Sequence, residues 1–279
     1  MQLALKRCLM KVALIGCGFI GQTIASAVRE GMVAASLVYV FDRNREKAEK
    51  VGAMFDGIKI ADSAKDIVES DADLVIEAAS ISAVKQYAID ILKSKKSLMV
   101  MSVGAFADKQ ILKDIEKVAE ENGVKVYLPS GAVGGLDALK SASTAALFDV
   151  SLVTTKPLKS LRGNLYLTDK GIDVDRIKEK QILYEGSAAD AIEKFPSNVN
   201  VAVTVGLCGL GPEKTHVKVV CDPEIDKNVH EIYAKGDFGE FRFRIENLPS
   251  PENPRTSYIA ALSAIATLKR ITSHIEVGT

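Results

Sequence analysis

From Lys11 to about Gly135 the chain alternates two spacings of apolar residues. Short continuous runs, KVALIGCG, SLVYVFDR, DADLVIEAAS and SLMVMSVGAF, have the pattern of strands buried on both faces of a parallel sheet. Between them lie segments with apolar residues every third or fourth position: FIGQTIASAVREG, closed by Gly31, then REKAEKVGAMF, SAVKQYAIDILKSK and DKQILKDIEKVAEENG. IKIADS adds a short strand, SAKDIVES a short helix capped by Ser63, and VKVYLPSGAVGG a further strand and loop. Strands alternating with helices through right-handed crossovers predict a doubly wound α/β sheet.

The spacing changes after about residue 135. LDALKSASTAALF reads as helix. Strand signals then dominate from Ser151 to Leu248, in SLVTTKP, SLRGNLYLT, QILYEGS, THVKVVCDP and VHEIYAKGDFGEFRFRIEN. Lys235-Gly236-Asp237 supplies a hairpin turn. One helical stretch, DAIEKFPSNVNVAVTVGLCG, is interrupted by Pro196. The tail predicts another helix, with Asn253 as cap, Pro254 in its first turn, and a stripe of Ile259, Leu262, Ile265, Ala266 and Leu268. The expected division is a parallel-sheet domain over 10–130 and an α+β domain over 131–251. The tail helix over 252–272 should pack back on the first domain.

Charge and cysteines narrow the classes. The 36 basic and 36 acidic residues cancel, and no basic block offers a footprint for nucleic acid. No apolar run is long enough to span a bilayer. The first ten residues lack the order of a secretory signal and read as an extension, with Met10 a second candidate start. Cys8, Cys17, Cys208 and Cys221 form no close pair, so neither a metal site nor a disulfide framework is expected, and a reducing cytoplasm fits.

Gly16-Cys17-Gly18-Phe19-Ile20-Gly21 matches G-x-G-x-x-G, a weak signal by itself. Here it follows a buried strand and opens a helix, as a dinucleotide site requires. Gly16 permits the tight turn, Gly18 the approach of a pyrophosphate, and Gly21 the close packing of helix on strand. Phe19 and Ile20 open a helix whose N-terminus favours phosphate. Asp42 ends the second strand, where a carboxylate can hold the ribose hydroxyls of NAD. Arg43 can stack on adenine or pair with a 2′-phosphate, so NAD is the expected cofactor and NADP the alternative. The first domain is therefore expected to be Rossmann-type, with Ala79, Ser80, Ser102, Ser130, Gly131 and Ala132 in loops at the carboxyl ends of its strands.

For proton chemistry there are three histidines. His274 lies in a polar tail and His216 in an alternating strand with a structural or exposed role. His230 opens a strand of the second domain, where catalytic and structural roles are evenly balanced. Asn198 and Asn200 stand at a helix start, as caps or as ligands of amide and carboxylate groups. The small-residue loop Gly131–Gly135 has room for a nicotinamide ring or a substrate carboxylate; Lys140 and Arg255 are further candidates for carboxylate binding.

With these residues in view, the chain resembles the L-aspartate dehydrogenase family from about Lys11 to about Leu268. The carriers are GCGFIG, PSGAVGGLDALK, FPSNVNVAVTVGLCGLGP, NVHEI with GDFG, and SPENPRTSYIAALSAIA. The resemblance implies NAD(P)-dependent oxidation of L-aspartate to iminoaspartate, which hydrolyses to oxaloacetate and ammonia and is also a precursor for NAD synthesis. It places the catalytic histidine at His230, cofactor contacts at Ala132 and Asn200, and a homodimer as the assembly. Substrate contacts are then expected from Ser130, Gly131, Asn198, Asn200 and His230. The N-terminal extension and the stretch from Lys156 to Asp175 depart from the family pattern. Rival readings are another Rossmann-type reductase, homoserine dehydrogenase- or dihydrodipicolinate reductase-like, and a non-catalytic NAD-sensing module.

Overall fold

A computed structural model describes residues 9–195, 199–250 and 257–278. The chain forms two compact units. Among the described residues, the first comprises those up to Met101, Lys113–Tyr127 and Ile265–Glu276, and the second comprises Ser102–Leu112, those between Leu128 and Ala264, and residues 277–278.

The first unit follows the alternation of the sequence. Its elements are β1 (Met10–Ile15), α1 (Phe19–Arg29), β2 (Ala35–Phe41), α2 (Arg45–Gly52), β3 (Lys59–Ile60), α3 (Ala64–Val68), β4 (Leu74–Glu77), α4 (Ile81–Lys93) and β5 (Ser97–Val100). After a 3-10 turn (Val103–Ala107) come α5 (Lys109–Asn122), which passes from the second unit into the first, and β6 (Val126–Tyr127). Six parallel strands lie in the order β3-β2-β1-β4-β5-β6. Val12, Ala13 and Leu14 are wholly buried, which is why β1 reads as an unbroken apolar run. The strand order reverses between β1 and β4, and ligands of such sheets sit outside the carboxyl ends at that reversal. Strand β5 is shorter than its apolar run, because SVGAF turns into the 3-10 helix.

The second unit holds α6 (Leu136–Ala142), β7 (Leu147–Lys156), α7 (Leu158–Leu161), α8 (Leu165–Asp169), β8 (Gln181–Ser187), α9 (Ala188–Lys194), α10 (Val199–Cys208), β9 (His216–Cys221), β10 (Asn228–Gly236), β11 (Gly239–Asn247) and the start of α11 (Tyr258–Ile271). Its sheet runs β11-β10-β7-β9-β8, with only β7 and β9 parallel. Val150 and Leu152 of β7, Val217 and Val219 of β9, and Ile232 and Ala234 of β10 line its core face. The hairpin forms at the expected turn, with Gly236 paired to Gly239.

Three local readings of the sequence need correction. SLRGNLYLT is not a strand. Asn164 accepts from Leu167 N at 3.0 Å and donates to Lys194 O at 2.9 Å, so it caps α8 and overrides the alternation of the residues after it. Tyr166 then packs edge-on to Phe195, centroids 5.4 Å apart. The helix predicted over LDALKSASTAALF ends at Ala142, and Leu147 and Phe148 begin β7. In α11 the buried stripe is Ala261, Ala264, Ile265 and Leu268, whereas Leu262 and Ala266 face outward. The caps Asn253 and Pro254, together with Asn198 and Arg255, lie outside the described residues.

Candidate active site

In the first unit the glycine loop is shaped by close backbone contacts. Gly16 has φ +98°, and a Cβ there would stand 2.5 Å from Ala78 O. A Cβ on Gly21 would meet Gly16 O at 2.0 Å, so α1 can approach the end of β1 only with glycine here. Around Gly18 a Cβ would meet nothing within 4 Å. The loop is therefore tight on its protein side and open at Gly18, the cradle that a pyrophosphate needs. Helix α1 begins at Gly18 with no side-chain cap, so no side chain competes with a phosphate at that helix end.

A cleft of about 230 Å³ opens beside this loop. Gly16, Gly18, Asp42, Arg43, Lys47, Ala79 and Ser80 are among its walls. All of these but Lys47 were expected among the cofactor contacts together with Gly21, Phe19 and Ile20; the last two sit in the opening turn of α1. Asp42 does more than the motif suggested. Its Oδ2 accepts from Cys17 N and its Oδ1 from Asn44 N, both at 2.8 Å. One carboxylate thus ties the glycine loop to the N-cap residue of α2, and its further lone pairs remain for ribose hydroxyls. The opposite wall is built the same way. Buried Glu77 accepts from Ala79 N and Ser80 N at 2.8 Å, and Ser80 caps α4 by accepting from Ala83 N. Burial, with Asp42 adding to it, pushes the Cys17 thiol up to about 12, so Cys17 is a packing residue and no nucleophile. The cradle, the ribose-side carboxylate and two cations fit a dinucleotide.

Ser102, Ser130, Gly131, Ala132, Asn200 and His230 all belong to the second unit. Asn200 Oδ1 accepts from Gly104 N at 2.8 Å, which joins α10 to the 3-10 turn that follows Ser102. Ala132 O accepts from Asn247 Nδ2 at 2.7 Å, and Gly131 N donates to Ser263 Oγ at 3.0 Å. The 131–135 loop is thus anchored from β11 and α11. The room its glycines leave at 134 and 135 is taken by Phe243, whose ring a Cβ on Gly134 would meet at 2.5 Å. This accounts for two of the small residues by packing, where the sequence suggested space for a ligand.

His230 is 4% exposed. It pairs with Thr154 across β10 and β7, and its Nδ1 lies 3.0 Å from Thr154 Oγ1. Burial first, and the Lys156 ammonium second, pull its pKa from the ordinary 6.5 down to about 3, so the imidazole is neutral. His216 is half exposed, with Nε2 3.0 Å from Glu185 Oε1 on the opposite sheet face, and His274 is exposed in the tail. Lys140 is exposed on α6. Among the described residues no group of acidic, histidine or cysteine side chains is placed to hold a metal.

Sequence reasoning missed the neighbours of His230. The face of β7 that carries Val150 and Leu152 continues with Thr154 and Lys156, and that of β10 with His230 and Asn228. Lys156 is 3% exposed, Thr154 1% and Asn228 1%. The signal was available: two alternating strands change from apolar to polar at inward positions, at ends that pair with each other.

Two family models divide the chain. Residues 16–129 match the homoserine dehydrogenase NAD-binding domain, and residues 137–271 match the aspartate dehydrogenase C-terminal domain. L-aspartate dehydrogenase of Methanosarcina acetivorans is 44% identical over 271 residues, covering 97% of this chain and 100% of the relative. The chain belongs to the L-aspartate dehydrogenase family. The enzyme of that name from Methanococcus maripaludis is 42% identical over 97% of this chain and all of its own. The crystal structure of aspartate dehydrogenase from Thermotoga maritima superposes with TM-score 0.77 at 32% identity, over 96% of this chain and 99% of that one. A homoserine dehydrogenase from Thiobacillus denitrificans, at 16% identity and TM-score 0.60, shares the fold, over 94% of this chain and 73% of its own. The first unit is an NAD-binding domain. No helix among the described residues is long and apolar enough to cross a membrane.

Proposed function

We propose that this protein oxidises L-aspartate to iminoaspartate with NAD, and with NADP as an alternative, His230 serving as the base. The observation that carries the reading is a buried neutral imidazole, oriented by Thr154, at the polar end of the second sheet. The names of full-length relatives supply the substrate. Gly16, Gly18, Gly21, Asp42, Arg43, Ala79 and Ser80 hold the cofactor, with Ser102, Ala132 and Asn200 from the second unit. Bound NAD supplies the hydride acceptor.

The residues of the chain do the rest. Substrate nitrogen must lose a proton before its lone pair can form the imine. With Nδ1–H donating to Thr154 Oγ1, the Nε2 lone pair of His230 can take that proton, and afterwards can activate the water that hydrolyses the imine. Ser130, Gly131, Asn198 and Asn200 contribute polar contacts to the dicarboxylate. Iminoaspartate released before hydrolysis would serve as a precursor for NAD synthesis. The expected assembly is a homodimer of the cytoplasm, checked by light scattering on purified protein.

The test is absorbance at 340 nm with L-aspartate and NAD, run beside homoserine and other amino acids. NADH should appear with L-aspartate and oxaloacetate should accumulate. Preference for another substrate would move the chain's activity elsewhere among Rossmann-type reductases, and NADH binding without any turnover would make it a sensing module.

A further inference from the structure

Lys156 and Asn228 take no part in the chemistry assigned to His230, yet both are buried beside it. Asn228 Oδ1 is out of contact with solvent and accepts no hydrogen bond among the described residues. A buried carbonyl oxygen gives up its hydration, and folded proteins leave few of them without a donor. Asn228 stands two residues before His230 on the same face of β10, about 7 Å along the strand. It pairs with Asn247 of β11, whose amide holds the Ala132 carbonyl. On the other side Thr155 of β7 pairs with Val229, so Lys156 continues the register and lies next to Asn228. The other buried oxygen without a partner among the described residues, Ser160 Oγ, sits in α7, which begins two residues after Lys156. An ammonium and an unsatisfied carbonyl oxygen thus stand on neighbouring strands at the end of the sheet that carries His230.

We propose that Lys156 and Asn228 form the amino-acid subsite next to His230, the Lys156 ammonium binding a substrate carboxylate and Asn228 Oδ1 accepting an N–H of the substrate's amino group. The proposal rests on the aspartate reading of the site. In the reaction the substrate ammonium gives one proton to His230. With NAD bound as the acceptor, the Cα–H bond would break with its electron pair leaving as hydride, and the nitrogen lone pair would close the C=N bond. The nitrogen becomes an iminium carrying two N–H groups. Positive charge grows on the group that Asn228 Oδ1 accepts from, so this hydrogen bond strengthens toward the transition state. A carboxylate bound at Lys156 brings negative charge next to the imidazole, and the base gains proton affinity when substrate is in place.

Succinate, a dicarboxylate without the amino group, separates the two roles. Lys156→Met should raise the inhibition constant of succinate and lower kcat/KM for L-aspartate, each about 10²-fold. Asn228→Leu should lower kcat/KM for L-aspartate about 10- to 100-fold and leave the succinate constant within twofold. NADH binding, followed by its fluorescence, should stay unchanged in both and reports folding; Asn228→Thr, compatible with a strand, replaces Asn228→Leu should that variant not fold. An Asn228 variant that moves both constants equally, or neither, overturns its role. Unchanged succinate inhibition in Lys156→Met overturns the carboxylate contact. If the wild type does not turn over L-aspartate, the proposed activity fails by itself. Succinate binding, read then as a thermal shift, supports the anion subsite if it is lost in Lys156→Met and overturns it if it persists.

Discussion

The two units build their functional ends in opposite ways. The first makes its cleft from backbone: a glycine turn, two helix starts, and two carboxylates that hold main-chain N–H groups. The second places side chains on a rigid sheet, where inward positions shift from Val150, Leu152, Ile232 and Ala234 to Thr154, Lys156, His230 and Asn228. The backbone site is built from strand-turn-helix units, and at Gly16 and Gly21 it leaves no room for a side chain. The side-chain site draws on strands β7 and β10, far apart in sequence, and its properties come from burial and mutual charge.

That contrast can be broken by substitution. The largest effect belongs to His230→Ala, which should lower kcat about 10²–10⁴-fold with NADH affinity unchanged. Activity close to wild type would remove His230 from the mechanism and dissolve the contrast. Acid stability comes next. The folded imidazole, with a pKa near 3, stays unprotonated where the unfolded one, near 6.5, takes up a proton. Unfolding therefore draws in a proton between those values, and stability falls as pH drops through that window by about 1.4 kcal/mol per unit. Urea titrations of the wild type from pH 6 to 5 should show this slope, and His230→Gln should lose it.

Gly16→Ala probes the other unit. Its φ of +98° and the contact with Ala78 should weaken NADH binding roughly 10–100-fold, from strain of about 1–2 kcal/mol plus the clash. Thr154→Val should lower kcat up to about tenfold, since it removes one hydrogen bond that orients the ring. Arg43→Ala is expected to have the smallest effect, a several-fold fall in the use of NADP relative to NAD, measured as the ratio of kcat/KM values; an exposed cation contributes roughly 0.2–1 kcal/mol. No change in the ratio would leave Lys47 as the cation that faces a 2′-phosphate.

Legibility followed the same division. Gly16, Gly18, Gly21 and Asp42 could be read because each obeys a constraint within one strand-turn-helix unit. The six parallel strands followed from continuous apolar runs. The second sheet was legible as alternation, but α8 was not, because one capping side chain, Asn164, outweighs the pattern of Leu165, Tyr166 and Leu167. Lys156 and Asn228 escaped notice because a charged or amide residue near a strand end resembles a solvated one. Only the pairing of β7 with β10 shows that both point inward. The glycines at 134 and 135 suggested a ligand and instead make way for Phe243.

The double grip of Asp42 constrains how this family can drift between cofactors. A mutation that discards the carboxylate to welcome a phosphorylated ribose also unfastens Cys17 and Asn44, loosening the turn and the following helix together. Arg43 and Lys47 already place positive charge on that wall, so a lineage adapting to NADP would meet fewer obstacles by working through those two side chains than by giving up the carboxylate. Redesign of coenzyme preference should begin with those two surface positions and keep the aspartate.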